Sequence, residues 1–273
     1  HPGTDELPSD SIIMKIVCSK YFISSPVKNN SSTTMQSNQA RNRLYKGHDI
    51  KNLDHAIIKV FTNQSSWEIE KKFLCSLKSK FVIKWLDMEI NNHFGFVSVT
   101  SYAGENLETK KYIFNGAIAK KQILLSISRA IEFLHGEKVA HLDLKLSNII
   151  CKPNNPYKIR LCDFESAKNF GDYLQSDHFC SCGFSAPEIV QHATIKVGSA
   201  QDIFSLGCIF YFIHKNMRIY DAFDDLRNST CFDHRVYGEI VDEQAANITL
   251  RMLDWNPNDR PTIQKVIDSD YFK

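Results

Sequence analysis

The chain has 273 residues, 43% hydrophobic and 23% charged, with 33 Lys+Arg against 31 Asp+Glu for a net charge of +2. That length suits one large domain or two small ones, and the composition excludes wholesale disorder and low-complexity repeats. Near-balanced charge gives no electrostatic footprint for nucleic acid, and no run of eighteen apolar residues offers a membrane span. The opening HPGTDELPSD lacks the apolar stretch of a secretory signal, so residues 1–11 read as a tag or disordered leader. Strand-like IIMKIV (12–17) and YFI (21–23) follow. Residues 26–43, whose apolar side chains beyond Pro26 are Val27, Met35 and Ala40, read as a solvated connection. Next come strand-like LYK (44–46) and AIIKVF (56–61), then an amphipathic helix over 66–78. In that helix Trp67, Phe73, Leu74 and Leu77 leave the charges on another face. Strands return at 81–87 and 94–100.

After residue 104 the pattern turns helical. Ile123, Leu124, Ile127, Ala130, Ile131 and Leu134 predict a helix over 120–138, and Gly136, just past the apolar run, can end it. The run DIFSLGCIFYFIH (202–214) is too short for a membrane helix and reads as a buried core helix. Helices over 241–254 and 261–268 close the chain, separated by NPNDRP. A β-rich first part followed by a helical second part is an α+β, two-lobed layout. The cysteines (18, 75, 151, 162, 180, 182, 208 and 231) are too sparse for a disulfide-stapled domain and include no C-x-x-C pair. They read as free thiols of a reducing compartment, hence an intracellular, cytoplasmic setting. Asn63-Gln-Ser65 and Asn228-Ser-Thr230 read as chance sequons.

The densest polar signal is His141-Leu-Asp143-Leu-Lys145-Leu-Ser-Asn148, followed by Asp163 at the end of the apolar strand IRLC. Phosphoryl transfer uses these residue types. A carboxylate orients or accepts the proton of the attacking hydroxyl, a lysine neutralises charge on the moving group, and an amide with a second carboxylate holds magnesium. Asp143, Lys145, Asn148 and Asp163 match those roles in order and spacing.

At these residues the chain resembles the eukaryotic protein kinase family, over residues 12–273. His141–Asn148 is similar to H-R-D-L-K-x-x-N, Asp163-Phe164-Glu165 to D-F-G, and Ala186-Pro187-Glu188 to A-P-E. Asp202-Ile-Phe-Ser-Leu-Gly207 resembles the start of the family's buried helix, and Arg260 its ion-pair partner for Glu188. The segment 202–213 most resembles the same helix of the unfolded-protein-response kinase/ribonuclease. The resemblance implies a single kinase domain with an N-lobe over 12–103 and a C-lobe over 104–273. It implies that Lys59, in AIIKVF, anchors ATP and pairs with an acid on the next helix, Glu70 or its rival Glu68. It further implies an ATP site formed by Leu44, Ile57, Lys59, Thr100, Ser101, Tyr102, Ala103, Ile150 and Asp163, with Mg2+ on Asn148 and Asp163. Thr100 stands at the gatekeeper position, and the backbone of Ser101–Ala103 would read the adenine edge. Phe164, His141 and Leu74 would stack as a hydrophobic column. Ser181 with Lys145 favours Ser/Thr over Tyr as acceptor.

Several positions depart from the family. Aligning Leu44–Lys46 with the strand after the glycine-rich loop puts Ser37, Gln39 and Asn42 where glycines belong, although glycine is what lets backbone N–H groups approach phosphates. Arg41 or Arg43 would substitute as phosphate ligands or remain solvated loop charges. Ile57 replaces a small alanine, and Glu165 replaces a glycine, where it would either repel ATP or add a metal ligand. Leu142 replaces an arginine, so control by activation-segment phosphorylation is not expected, and Ser147 stands where many relatives carry an acid. Two readings follow. One is an atypical Ser/Thr protein kinase using ATP and Mg2+ on a protein substrate. The other is a pseudokinase that binds a regulatory protein with weak or no ATP binding. Neither reading involves nucleic acid or membrane insertion.

Overall fold

Period-two alternation of apolar residues in the first hundred positions becomes one antiparallel sheet in the computed structural model, which describes residues 16–27, 42–110, 115–175, 183–191, 194–219 and 240–273. The chain divides into two units: residues up to Cys75 with Ile83–Tyr102, and Ser76–Val82 with Ala103–Lys273. In the first, β1 (Ile16–Val17), β2 (Tyr21–Pro26), β3 (Arg43–Asp49), β4 (His55–Phe61), β5 (Trp85–Asn91) and β6 (Gly95–Ser101) pair in the order β1-β2-β3-β4-β6-β5. Side chains of alternate residues take opposite faces. Ala56, Ile58, Val60, Val97 and Val99 bury one face together with Val17, Tyr21, Ile23 and Tyr45. Cys18 packs against this core, where burial, with Glu89 and Asp87, pushes its thiol up to about 12 and leaves it unreactive.

Directly opposed residues share a face. Leu44 lies across from Lys59, Ile57 from Thr100 and Lys59 from Ser98, so these five occupy the other face. There α1 (Gln64–Ser76) docks, with Trp67 Nε1 donating to Val97 O at 2.9 Å. The helix opens two residues earlier than its periodicity predicts because Asn63 Oδ1 accepts the Ser66 N–H at 2.8 Å, an N-cap. The strand expected over 81–87 is instead β5. Phe81 N–H turns back to Ser79 Oγ, and Val82 makes only a single bridge, to Leu161. The apolar Phe81 and Val82 serve the second unit, where Leu161 N–H donates to Phe81 O at 2.8 Å.

The second unit runs through β7 (Glu105–Asn106), α2 (Ala117–Gly136), β8 (Val139–Ala140), a 3-10 turn (Leu146–Asn148), β9 (Ile149–Lys152) and β10 (Asn155–Leu161). It continues with β11 (Lys168–Asn169), β12 (Tyr173–Gln175), α3 (Pro187–Gln191), β13 (Thr194–Lys196), α4 (Ala200–Lys215), α5 (Glu243–Met252) and α6 (Ile263–Ile267). β10, β9 and β7 form a sheet that holds Ile149 and Ile150 in register, and β8 pairs with β11. Gly104, at φ +132°, enters this sheet where a Cβ would collide with the Cys151 carbonyl. α2 ends at Gly136, as its place just past the apolar run predicts, and the left-handed φ of 58° falls on Lys138.

α4 is buried on all sides from Gln201 to Ile213, as its unbroken apolar run predicts. Asp242 Oδ1 caps α5 by accepting the Ala245 N–H at 3.0 Å. Among the described residues no helix is long and apolar enough to cross a membrane, and Cys18, Cys75, Cys151, Cys162 and Cys208 are free thiols. Cys180, Cys182, Cys231, the leader and residues 12–15 lie outside the described residues.

Two predictions follow from the packing of α4. A Cβ on Gly207 would sit 2.8 Å from Leu253 Cγ and 3.0 Å from Met252 Cβ, so Gly207→Ala forces α5 away and should cost about 1–3 kcal/mol in urea denaturation. His214, 3.2 Å from the Tyr271 hydroxyl, is held down at about 4 by burial and then by Lys120, against the smaller pull of Asp242. Its unfolded form takes a proton near pH 6.5 that the folded form refuses. Stability from this group is therefore complete above pH 6.5 and declines as pH falls from there towards 4. His214→Gln should flatten that part of the Tm–pH curve.

Candidate active site

In the first unit the chemistry centres on Lys59. Its Nζ donates to Glu70 Oε2 at 2.7 Å, and Ser98 Oγ donates to Glu70 Oε1 at 3.1 Å, so both carboxylate oxygens are engaged. Lys59 and Glu70 are buried, and the Lys59 ammonium lies 4.6 Å from the Phe61 ring centre. A buried charge persists only when paired and hydrogen-bonded, which this arrangement provides. Glu68 is exposed and accepts from Gln64 instead, so the acid facing Lys59 is Glu70. Ser98 was not singled out in the sequence, although alternation along FVSVTS puts it on the Lys59 face.

In the second unit the chain reverses at His141–Leu142, with Leu142 at φ 64°. Asp202, fully buried at the start of α4, accepts the His141 N–H on Oδ2 and the Leu142 N–H on Oδ1, each at 2.9 Å. His135 Nε2 approaches the same carboxylate at 3.1 Å. Burial alone would raise the Asp202 carboxyl; the hydrogen bond and charge of His135, with His141, outweigh it and hold the pKa below the ordinary value. The His141 ring accepts the Asp143 N–H on Nδ1 and lies 3.0 Å from Cys162 O through Nε2, an arrangement that assigns the proton to Nε2. Its face meets Phe164 with ring centroids 4.8 Å apart.

This scaffold presents Asp143. Lys145 Nζ donates to Asp143 Oδ2 at 2.8 Å, and Asn148 Nδ2 donates to Oδ2 and to the Asp143 carbonyl, both at 2.9 Å. Cys162 N–H donates to Asn148 O at 3.0 Å, which brings Asp163, at φ 68°, alongside. Burial would lower the Lys145 pKa, but Asp143, Asp163 and Glu165 outweigh it and hold the ammonium charged. Glu165 is thus a third carboxylate in the field of one lysine. Asn148 spends its Nδ2 on Asp143, leaving its amide oxygen for a cation. With Asp163 it offers the hard oxygen donors that suit Mg2+, an ion bound through one or two protein groups plus phosphate oxygens. The residues present therefore fit such an ion.

The remaining candidates are distributed as follows. Leu44, Ile57 and Thr100 share the Lys59 face. Ile150 pairs with Asn106 and Arg160 in its sheet. Of the segment expected to read a purine edge, Ser101 N–H is spent on Lys84 O and Tyr102 N–H on His55 O, while Ala103 N–H has no backbone acceptor among the described residues. Arg43 lies across from Val60, on the face opposite Lys59. Asn42, the residue before β3, accepts the Thr62 N–H on Oδ1 at 3.0 Å. Pairing of β2 with β3 reaches Pro26 and Tyr45. Ser37, Gln39, Arg41 and Ser181 lie outside the described residues. Glu188 and Arg260 pair through two 2.7 Å contacts.

The profile of the protein kinase domain matches residues 40–272. Among curated proteins, 3-phosphoinositide-dependent protein kinase B of Dictyostelium discoideum is 30% identical over 52% of this chain and 16% of its own length. Serine/threonine-protein kinase Nek6 of Oryza sativa subsp. japonica is 27% identical over 75% of this chain and 39% of its own length. The carbon catabolite-derepressing protein kinase of Saccharomyces cerevisiae is 28% identical over 77% and 33%. The matched stretch thus spans well under half the length of these relatives.

The two glutamates of α1 can be told apart by stability. Glu70→Gln keeps the volume but removes the charge facing buried Lys59, and should cost about 1–3 kcal/mol. Glu68→Gln should stay within about 0.5 kcal/mol, both read from denaturant midpoints at constant m-value.

Proposed function

The chain belongs to the protein kinase domain family, and from that premise we propose that it transfers the γ-phosphoryl group of ATP to a serine or threonine hydroxyl of a protein, without a glycine-rich phosphate loop. The observation that carries this reading is the Asp143 carboxylate, held by Lys145 and Asn148 through bonds of 2.8 and 2.9 Å to one oxygen, Oδ2. Locked in this way, the carboxylate orients the acceptor hydroxyl and takes up its proton as the oxygen–phosphorus bond forms and the bond to the β-phosphate bridging oxygen breaks. Lys145, kept cationic, offsets charge on the transferring group. Lys59, fixed by Glu70, positions the phosphates of ATP, and Ala103 N–H donates to the adenine edge. Mg2+, carried by Asn148 and Asp163, would neutralise the β- and γ-phosphate oxygens. We read residues 12–273 as one kinase domain acting on other proteins.

A second reading, a pseudokinase that works as a protein-binding or allosteric module, is favoured by two positions. Ile57 adds bulk on the face that carries Lys59, and Glu165 adds negative charge near Asp163. Retention of Lys59, Glu70, Asp143, Lys145, Asn148 and Asp163 weighs more, because unpaired or surplus buried charge lowers stability.

Intact-protein mass spectrometry after incubation with Mg-ATP and a generic serine/threonine substrate decides between them. Phosphate should be gained with the wild type and be lost by about 10²-fold or more in Asp143→Asn, a change that leaves Tm and the ATP-induced rise in Tm nearly unaltered. No gain by the wild type, with no ATP-induced rise in Tm, establishes the pseudokinase instead.

A further inference from the structure

Three pieces of chain in the second unit meet at one guanidinium. The Leu107 N–H donates to Leu146 O at 3.2 Å and Ile149 O at 2.9 Å, which fastens the following residue, Glu108, to the flank of the turn after Lys145. Arg218, just past α4, reaches Glu108 Oε1 with Nη2 at 3.4 Å. Its guanidinium carbon lies 5.9 Å from the centre of the Phe184 ring, in the segment that leads into α3. The two charged side chains are only 23% and 21% exposed.

The contact is long for an N–H···O bond and uses one of five guanidinium donors. It is the sole polar contact of Arg218 among the described residues. The guanidinium stays charged at any physiological pH and rests against an aromatic ring, which limits the freedom it loses on gripping a ligand. In the turn to which Leu107 is fastened, Ser147 brings no negative charge and Lys145 remains cationic. Glu108 is then a placeholder: a carboxylate held at 3.4 Å that a better-placed anion, paired at the usual 2.7–2.9 Å, displaces.

We infer that Arg218 reads an anionic side chain, carboxylate or phosphate ester, on the protein that presents its hydroxyl to Asp143. The inference rests on the kinase reading and names its substrate class: acidic or already phosphorylated proteins. Arg218 is a specificity residue here, since it touches the substrate away from the reacting atoms.

The test uses fluorescent serine peptides of one length whose flanking positions carry glutamate, phosphoserine, alanine or lysine. Binding is measured by anisotropy to the full chain carrying Asp143→Asn, so that turnover does not intrude. Glutamate and phosphoserine peptides should bind about tenfold more tightly than the alanine peptide. Adding Arg218→Gln should erase that difference, and adding Glu108→Gln should tighten both acidic peptides. The two changes act in opposite directions, which a loss of folding cannot reproduce. Equal binding of glutamate and alanine peptides, discrimination that survives Arg218→Gln, or a preference for lysine each overturns the inference. Wild-type turnover separates it from the kinase reading. Discrimination in binding with no phosphate transfer from Mg-ATP overturns the kinase assignment, whereas transfer to acidic and neutral peptides with the same KM overturns the inference alone.

Discussion

A buried leucine in the left-handed region costs of order 1 kcal/mol, and Leu142 holds that conformation because the Asp202 carboxylate takes both N–H groups of the reversal. Without this clamp the next residues would have no fixed direction. The His141 ring could not both receive the Asp143 N–H and reach Cys162 O, and Asp143 would lose its orientation towards Lys145 and Asn148. The clamp is itself anchored where the chain is least able to move, at the head of a helix with no solvent face. His135, from α2, completes it. Rigid elements thus set a loop, and the loop sets the carboxylate.

The electrostatics follow one pattern in each unit: a lysine is kept charged at a buried or half-buried place by carboxylates that are themselves held. Glu70 holds Lys59, with Ser98 on its second oxygen. Asp143, Asp163 and Glu165 hold Lys145 against the pull of burial. Carboxylates outnumber lysine three to one in the second group, which leaves a surplus of negative charge where the family reading needs a divalent cation and phosphate to balance it. Glu165 makes that surplus larger than Asp-Phe-Gly would, so a bound cation would offset more charge here.

How much could be read beforehand varied with the range of the signal. The catalytic-loop residues lie within eight positions and announce themselves by type and spacing. The choice of Glu70 over Glu68 was also present in the helix period, because residues 67, 70 and 74 form one stripe with steps of three and four and Glu68 falls off it. The bonds of Asp202 could not be read in this way, although its place at the head of an unbroken apolar run marks it, because its partners lie sixty and more residues away. Gly136 was legible as the end of α2, but not that the positive φ beyond it falls on Lys138. The register of β2 with β3 was hidden by the polar stretch between them, where no alternation marks the pairing.

The all-round burial of α4 has a consequence for how the protein is made. The helix ends at Lys215, and α5, which packs against Gly207, is complete only at Met252. A ribosome adding about 5–20 residues per second needs roughly two to seven seconds to cover that interval. During it, a helix of Ile, Leu, Phe and Tyr side chains has α2 to lean on but lacks its other cover. The nascent chain passes through a window in which its most water-averse segment is half-dressed, and yield in a cell depends on what shields it until the rest of the polypeptide arrives.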